Sequence, residues 1–491
     1  MPLAPRFLSR QMLCLLLASP WQWVAAQAPS DGLAARTAAA DLSPAATLWR
    51  ATARFGYAPQ PATTDTAQGM AWALAQLAPA QRDSQSPANV PEALSVITMP
   101  LPTVFTRFRQ AREAQRKVGG AGASADTFIR DMARSAAAWR LAACSRPDIE
   151  NPLLARMTEF WFNHLNVFAG KGAVRPYVGD YVLNAIRPHA LGRFEDLLLA
   201  SARHPAMLLY LDQAQSVAEG SPVRPNAANP NGRRRGLNEN YARELMELHT
   251  LGVNGGYGQN DVRELARILT GWTVDPQSPS GFRFAPRLHD NGSKTLLGQR
   301  FEGSGAAEGE AAIRMLARHP ATAQRISLRL AQWFVADQPP PALVQRLAQR
   351  YLATQGDIAA VMRTLIESPE TWVTEAKLFK TPMDYACSVL AAAGGPQEAR
   401  DYAQALGFLT SAGQPLHGWQ TPDGYKTDAA TWLSPEALSR RADLAMAVGR
   451  RVPDAQTVLV WLSPATRTRI AQEPERMQAG LALASPDYMA K

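Results

Sequence analysis

Long apolar runs are missing from this chain of 491 residues. Beyond the N-terminus no stretch stays apolar for about 18 residues, so no internal membrane span is expected. Cysteine is scarce, with three in all, and no Cys-x-x-Cys or Cys/His spacing indicates zinc. Gly-x-Ser-x-Gly and His-Glu-x-x-His are both absent. No glycine-rich loop carries the Lys-Ser/Thr ending that cradles phosphate. Serine-hydrolase, zinc-peptidase and nucleotide-kinase chemistries therefore lack their residues. Basic residues are not interleaved with aromatics, which argues against nucleic acid as a partner. No repeat of fixed period recurs.

What is present suits a large folded chain. Hydrophobic residues make up 46% and charged residues 19%, enough for an extensive core. Residues 1–28 read as an export signal: Arg6 and Arg10, a short apolar stretch at 12–18, and the A-x-A site Ala26-Gln27-Ala28. Arg6 and Arg10 are not adjacent, so there is no twin-arginine signal. Cleavage near Ala28 places the protein in the periplasm or outside the cell. It removes both arginines and no acid, taking the net charge from +9 to +7. That balance suits an acidic envelope glycan or anionic lipid surface as partner, or simply a solvated arginine-rich surface. Cys144 and Cys387 remain, either as one disulfide or as two buried thiols.

Periodicity is near 3.6 over most of the chain, so the expected fold is mainly α, a multi-helix globular array with one small β-hairpin. After the signal come an N-terminal helical region (29–140), a core helical domain (141–452) and a peripheral tail (453–491). Strand character is confined to 273–298, where Phe282, Phe284, Thr295 and Leu297 flank a turn at His289-Asp290-Asn291-Gly292. Residues 213–236 form a long polar loop with three prolines and Arg233-Arg234-Arg235. This suits a mobile lid or docking strip with Arg234 toward an anion, or a solvated insertion. Residues 413–432, rich in Gly, Pro, Asp and Trp, read as an ordered loop.

The densest chemistry lies in 237–252, LNENYARELMELHTLG. This helix has no lysine, yet it carries Asn238, Glu239, Asn240, Arg243, Glu244, Glu247 and His249 among apolar residues. Burying such groups is costly unless they are paired or used. Asn238 is a candidate N-cap. At about 100° per residue Asn240, Glu244 and Glu247 share a stripe with Arg243 at its edge. His249 falls roughly 140° from Glu244, so one regular helix does not offer both to one metal. A metal site would need a ligand from another helix, and His164 in Phe160-Trp161-Phe162-Asn163-His164 is the candidate donor.

These residues, with Asp196-Leu197-Leu198, 204–212 (HPAMLLYLD), Asp261-Val262, Leu269-Thr270-Gly271-Trp272, the His289-Asp290 turn with Lys294, and Lys377-Leu378-Phe379-Lys380-Thr381-Pro382, resemble a large bacterial family catalogued as domain of unknown function 1800. The resemblance covers roughly 48–450. It implies an exported, mostly helical protein of unassigned activity. Such proteins are often encoded beside domain of unknown function 1501, a second exported family that resembles alkaline phosphatases and sulfatases, so a shared envelope task is implied. The family's Arg-x-x-Phe-Gly opening stands here only as Ala53-Arg54-Phe55-Gly56, which weakens the match in the N-terminal third.

Three functions follow. The first is a binding or accessory protein acting with a sulfatase- or phosphatase-like partner. The second is an envelope-polymer hydrolase or lyase using Glu244 or Glu247 with a histidine, Asp212 lining the same cleft. The third is a metal-dependent protein with His164 and a glutamate as ligands. Each group has a plainer reading: a core histidine at His164, an ion-pair network at Arg243, Glu244 and Glu247, a turn at Asp290. Trp272, Trp419 and Trp432 are either sugar-stacking walls or core. The sequence leaves the cofactor and the metal content open.

Overall fold

The computed structural model describes residues 44–58, 69–117, 123–221, 236–373 and 378–491. The export signal and 222–235, with Arg233, Arg234 and Arg235, lie outside the described residues. The fold is mainly α, as the periodicity requires. Many helices start at a polar residue followed by proline. Asn151 accepts from the amides of Leu153 and Leu154 ahead of helix Pro152–His164. His204 and His319 cap Pro205–Tyr210 and Pro320–Phe334 through their rings. Thr381 forms a capping box with Asp384 at the head of Pro382–Ala392. Proline's missing amide is lost at no cost in that first turn, and the preceding side chain satisfies the amides behind it.

The β structure differs from the single hairpin expected. Strand β1 (Trp272–Val274) pairs antiparallel with β2 (Phe282–Phe284), and β3 (Lys294–Leu296) with β4 (Gln299–Phe301). Leu297 and Gly298 both have positive φ, 49° and 79°, the geometry of a two-residue hairpin turn. They close β3 on β4, and so Phe282 and Phe284 pair backward with β1. His289–Gly292 is the link between the two hairpins, bent by an Asp290 side chain that accepts from the Gly292 amide at 2.9 Å.

Two apolar cores organise the helices. One gathers side chains from Phe55 to Ile366, including Phe160, Trp161, Tyr241, Leu245 and Met246. The other joins Tyr57, Leu141, Cys144 and Ala155 to residues from Phe379 onward. The segment 453–491 is not peripheral: Val458, Leu459, Leu462, Ile470, Leu481, Tyr488 and Met489 fill the second core. Lys491 also pairs through its backbone with Leu378. No helix among the described residues is long and apolar enough to cross a membrane.

Cys144 and Cys387 form a disulfide between helices Ala123–Ser145 and Pro382–Ala392, across 243 residues of sequence. Closing so long a loop restricts the unfolded chain, which is worth about 2–4 kcal/mol. Replacing both cysteines with alanine is expected to lower the urea midpoint accordingly. An unchanged midpoint, with both thiols alkylated in the native protein, would mean that the bond does not form.

Candidate functional site

The acidic helix is not one regular helix. Glu239–Glu244 is α-helical and Leu245–His249 is a π-turn. The Thr250 hydroxyl donates to the Leu245 carbonyl at 2.6 Å, and the Gly252 amide reaches the Met246 carbonyl at 3.0 Å. Gly252 has a φ of 85°, which its lack of a Cβ permits. The wider turn rotates His249 inward. Such π-bulges recur at functional sites.

His249 meets the C-terminal end of helix Pro152–His164. Its carbonyl oxygen lies 3.0 Å from His164 Nε2. Both rings are buried. Burial and Arg325 push His249 down to about 3. Burial, with Arg325 and Arg329, holds His164 well below the ordinary imidazole value. Both histidines are therefore neutral at pH 7. Asn163, Asn166 and the backbone around them fasten the 413–432 loop. Asn163 exchanges hydrogen bonds with the Tyr425 backbone at 2.9 and 2.8 Å. Asn166 donates to the Trp419 and Thr421 carbonyls.

Between that loop and helix Pro320–Phe334 lies a cleft of about 180 Å³, lined by His164, Leu248, Arg325, Arg329, Asp423, Gly424, Tyr425 and Lys426. Arg325 donates to the Leu248 carbonyl at 2.9 Å. Neither it nor Arg329 forms an ion pair among the described residues. Burial lowers both arginines, and Asp423 acts against this on Arg329. Asp423 is exposed and held by the Trp419 indole at 2.9 Å and the Thr421 hydroxyl at 2.6 Å.

The acidic stripe borders this cleft without lining it. Glu244 and Glu247 are half-buried. Arg243 stands 3.4 Å from Glu239 and 3.7 Å from Glu247, a half-exposed ladder along one helix and not a buried network. Glu244 has no such partner among the described residues. Burial, then the charge of Glu247, raises its carboxyl above the ordinary value, and Asp423 adds to this. Tyr257 is pushed up to about 12 by burial and by Glu247. A carboxyl raised in the folded state takes up protons on folding, so stability falls as pH rises through the window just above the ordinary Glu value. Glu244→Gln is expected to flatten that fall and to leave the Tm at pH 7 unchanged or slightly raised. A lowered Tm would make Glu244 a structural anchor.

The other expected site residues form separate clusters. Asn238 caps its helix through the Asn240 amide at 2.9 Å and donates to the Asp212 carbonyl at 3.0 Å. Asn240 reaches the Leu211 carbonyl at 3.4 Å. The two asparagines thus clasp the turn at Asp212, whose φ is 59° and whose carboxylate pairs with Lys171 at 2.6 Å. His289 and Lys294 are sealed around Glu308, at 2.9 and 2.6 Å. Against the cost of burial they hold its carboxyl below the ordinary value. Asp290 pairs with Arg267 at 2.8 Å. Trp272 and Trp432 belong to the core, while Trp419 is half-exposed. Among the described residues no three His, Cys, Asp or Glu side chains gather as a metal site, and His164 Nε2 is committed to a carbonyl.

Arg325, Arg329, Asp423 and Lys426 line the cleft but belong to no motif that the sequence announces. One signal for the arginines is there: like charges at i and i+4 repel on a helix, so their spacing on an otherwise amphipathic helix asks for a counter-ion. No curated protein and no solved structure matches this chain. A family model described as Protein of unknown function (DUF1800) matches residues 50–490. The cleft, the acidic helix and the 413–432 loop all fall within that match, and the chain belongs to the DUF1800 family.

Proposed function

We propose that the protein is an exported binding protein of the cell envelope, taking an anionic group of an envelope polymer in the cleft between His164 and Arg329. Arg325 and Arg329 carry this reading: two half-buried arginines one helical turn apart, unpaired among the described residues, on the wall of a cleft. Asp423 acts on Arg329 without forming an ion pair, and no carboxylate among the described residues acts on Arg325. An anion between the two guanidiniums is therefore favoured, and their forks suit carboxylate, phosphate or sulfate. Titration with polygalacturonate at low salt tests it. Arg329→Gln is expected to weaken binding about tenfold, and added salt to weaken the wild type. Equal affinity of variant and wild type would overturn the reading.

Export is supported by the basic start, short apolar stretch and A-x-A site, and by a disulfide of the kind that persists in oxidising compartments. N-terminal sequencing of protein from the native envelope should begin near Pro29; an intact Met1 would contradict it. A sulfatase- or phosphatase-like partner rests on the resemblance to a family encoded beside such proteins. The raised carboxyl of Glu244 favours a second reading, a hydrolase or lyase in which it is the general acid. Under that reading Glu244→Gln loses activity on the bound polymer while stability holds.

A further inference from the structure

The tautomer of His164 is fixed before any ligand arrives. Its Nε2 lies 3.0 Å from the His249 carbonyl oxygen, which only accepts, so Nε2 carries the proton. The ring is neutral, held so by burial and the two arginines. Nδ1 therefore bears a lone pair. No described residue donates to it. It is also not one of the sealed, unpartnered nitrogens, as Nε2 of His249 and of His417 are. The ring lines the cleft, and Nδ1 is its one nitrogen left for a ligand, since Nε2 is bonded to the His249 carbonyl.

The cleft thus makes two unlike demands. Arg325, Arg329 and Lys426 only donate, while His164 Nδ1 and the Asp423 carboxylate only accept. A bare carboxylate, phosphate or sulfate meets the first demand and sets an acceptor against an acceptor at the second, leaving the imidazole nitrogen unsatisfied. We infer that the ligand unit is a hydroxylated anion, an acidic sugar, whose oxyanion pairs with Arg325 and Arg329 while a hydroxyl of the same ring donates to His164 Nδ1. This rests on the anion-binding reading above. The volume of about 180 Å³ suits a single ring. Half-exposed Trp419 does not line the cleft; its indole donates to Asp423 and its ring packs against Tyr425, both of which do.

Four probes test this on the full mature chain by calorimetry: glucuronate, glucose 6-phosphate, cyclohexanecarboxylate and glucose. At least one hydroxylated anion is expected to bind about tenfold or more tightly than cyclohexanecarboxylate, and glucose weakly or not at all. Whether glucuronate or glucose 6-phosphate is tighter separates a uronate from a sugar phosphate. In ¹⁵N spectra the His164 Nδ1 resonance, assigned by its loss in His164→Gln, should shift with the hydroxylated anion and stay in place with cyclohexanecarboxylate. Equal affinities with an unmoved resonance would overturn the hydroxyl requirement and leave the anion site standing. No binding of any anion would overturn the anion-binding reading itself.

Discussion

Asp384→Ala is expected to lower the stability of the protein by about 3–5 kcal/mol. The carboxylate is fully enclosed and ion-paired on both sides. Arg156, itself completely buried, donates to Oδ1, and Lys491 Nζ lies 2.5 Å from Oδ2. The amide of Thr381 adds a third donor at 3.3 Å. Lys380 and Arg441 lie close enough to feel the same charge. Removing the carboxylate leaves these cations in low dielectric without a counter-charge. A buried ion pair contributes little net stability when intact, but breaking one is severe. Burial works to raise Asp384, yet Arg156 and Lys491 overcome it and hold the carboxyl far below the ordinary value. The stabilisation is thus fully present above the unfolded carboxyl's pKa, and is lost as pH falls below it. Urea unfolding at pH 7 should show the full deficit, and the variant should have a flatter acid limb than the wild type. A variant as stable as the wild type at pH 7 would mean that the cations find other partners.

This network shows what the sequence conceals. Helix starts are legible because their chemistry is local: Asn151-Pro152, Thr381-Pro382 and Ser434-Pro435 announce their caps within three residues. The half-burial of the acidic helix is legible too, since glutamates without lysine beside Leu245 and Met246 imply an interior edge. The π-turn after Glu244 is not legible, because it depends on Thr250 and Gly252 competing with a pattern that reads as regular helix. Asp384 pairs with partners 228 and 107 residues away, and no periodicity reports such distances. The cleft is half legible. His164 and the ordered 413–432 loop can be singled out, but nothing in the spacing says that Asn163 and Asn166 fasten that loop beside Arg325 and Arg329.

That fastening sets the second large effect. Gly424→Ala is expected to reduce affinity for glucuronate on the order of a hundredfold. Gly424 has a φ of 72°, a conformation strained for any residue with a Cβ. An added Cβ would also lie 2.0 Å from the Asn163 carbonyl oxygen and 2.9 Å from its Oδ1. Neither atom can retreat: the carbonyl is backbone at a helix end, and Oδ1 is bonded to the Tyr425 amide at 2.8 Å. The loop must lift away, carrying Asp423, Tyr425 and Lys426 from the wall they share with His164. The strain should also cost about 1–3 kcal/mol of stability, visible as a lower Tm. Asn163→Ala is the control, since it removes both hydrogen bonds to Tyr425 but introduces no clash. It should weaken binding less than Gly424→Ala does. Calorimetry at 25 °C, on variants whose circular dichroism at that temperature matches the wild type, separates a displaced wall from an unfolded protein. If Gly424→Ala binds glucuronate as the wild type does, the 413–432 loop is no part of the binding surface and the cleft must be defined by Arg325, Arg329 and His164 alone.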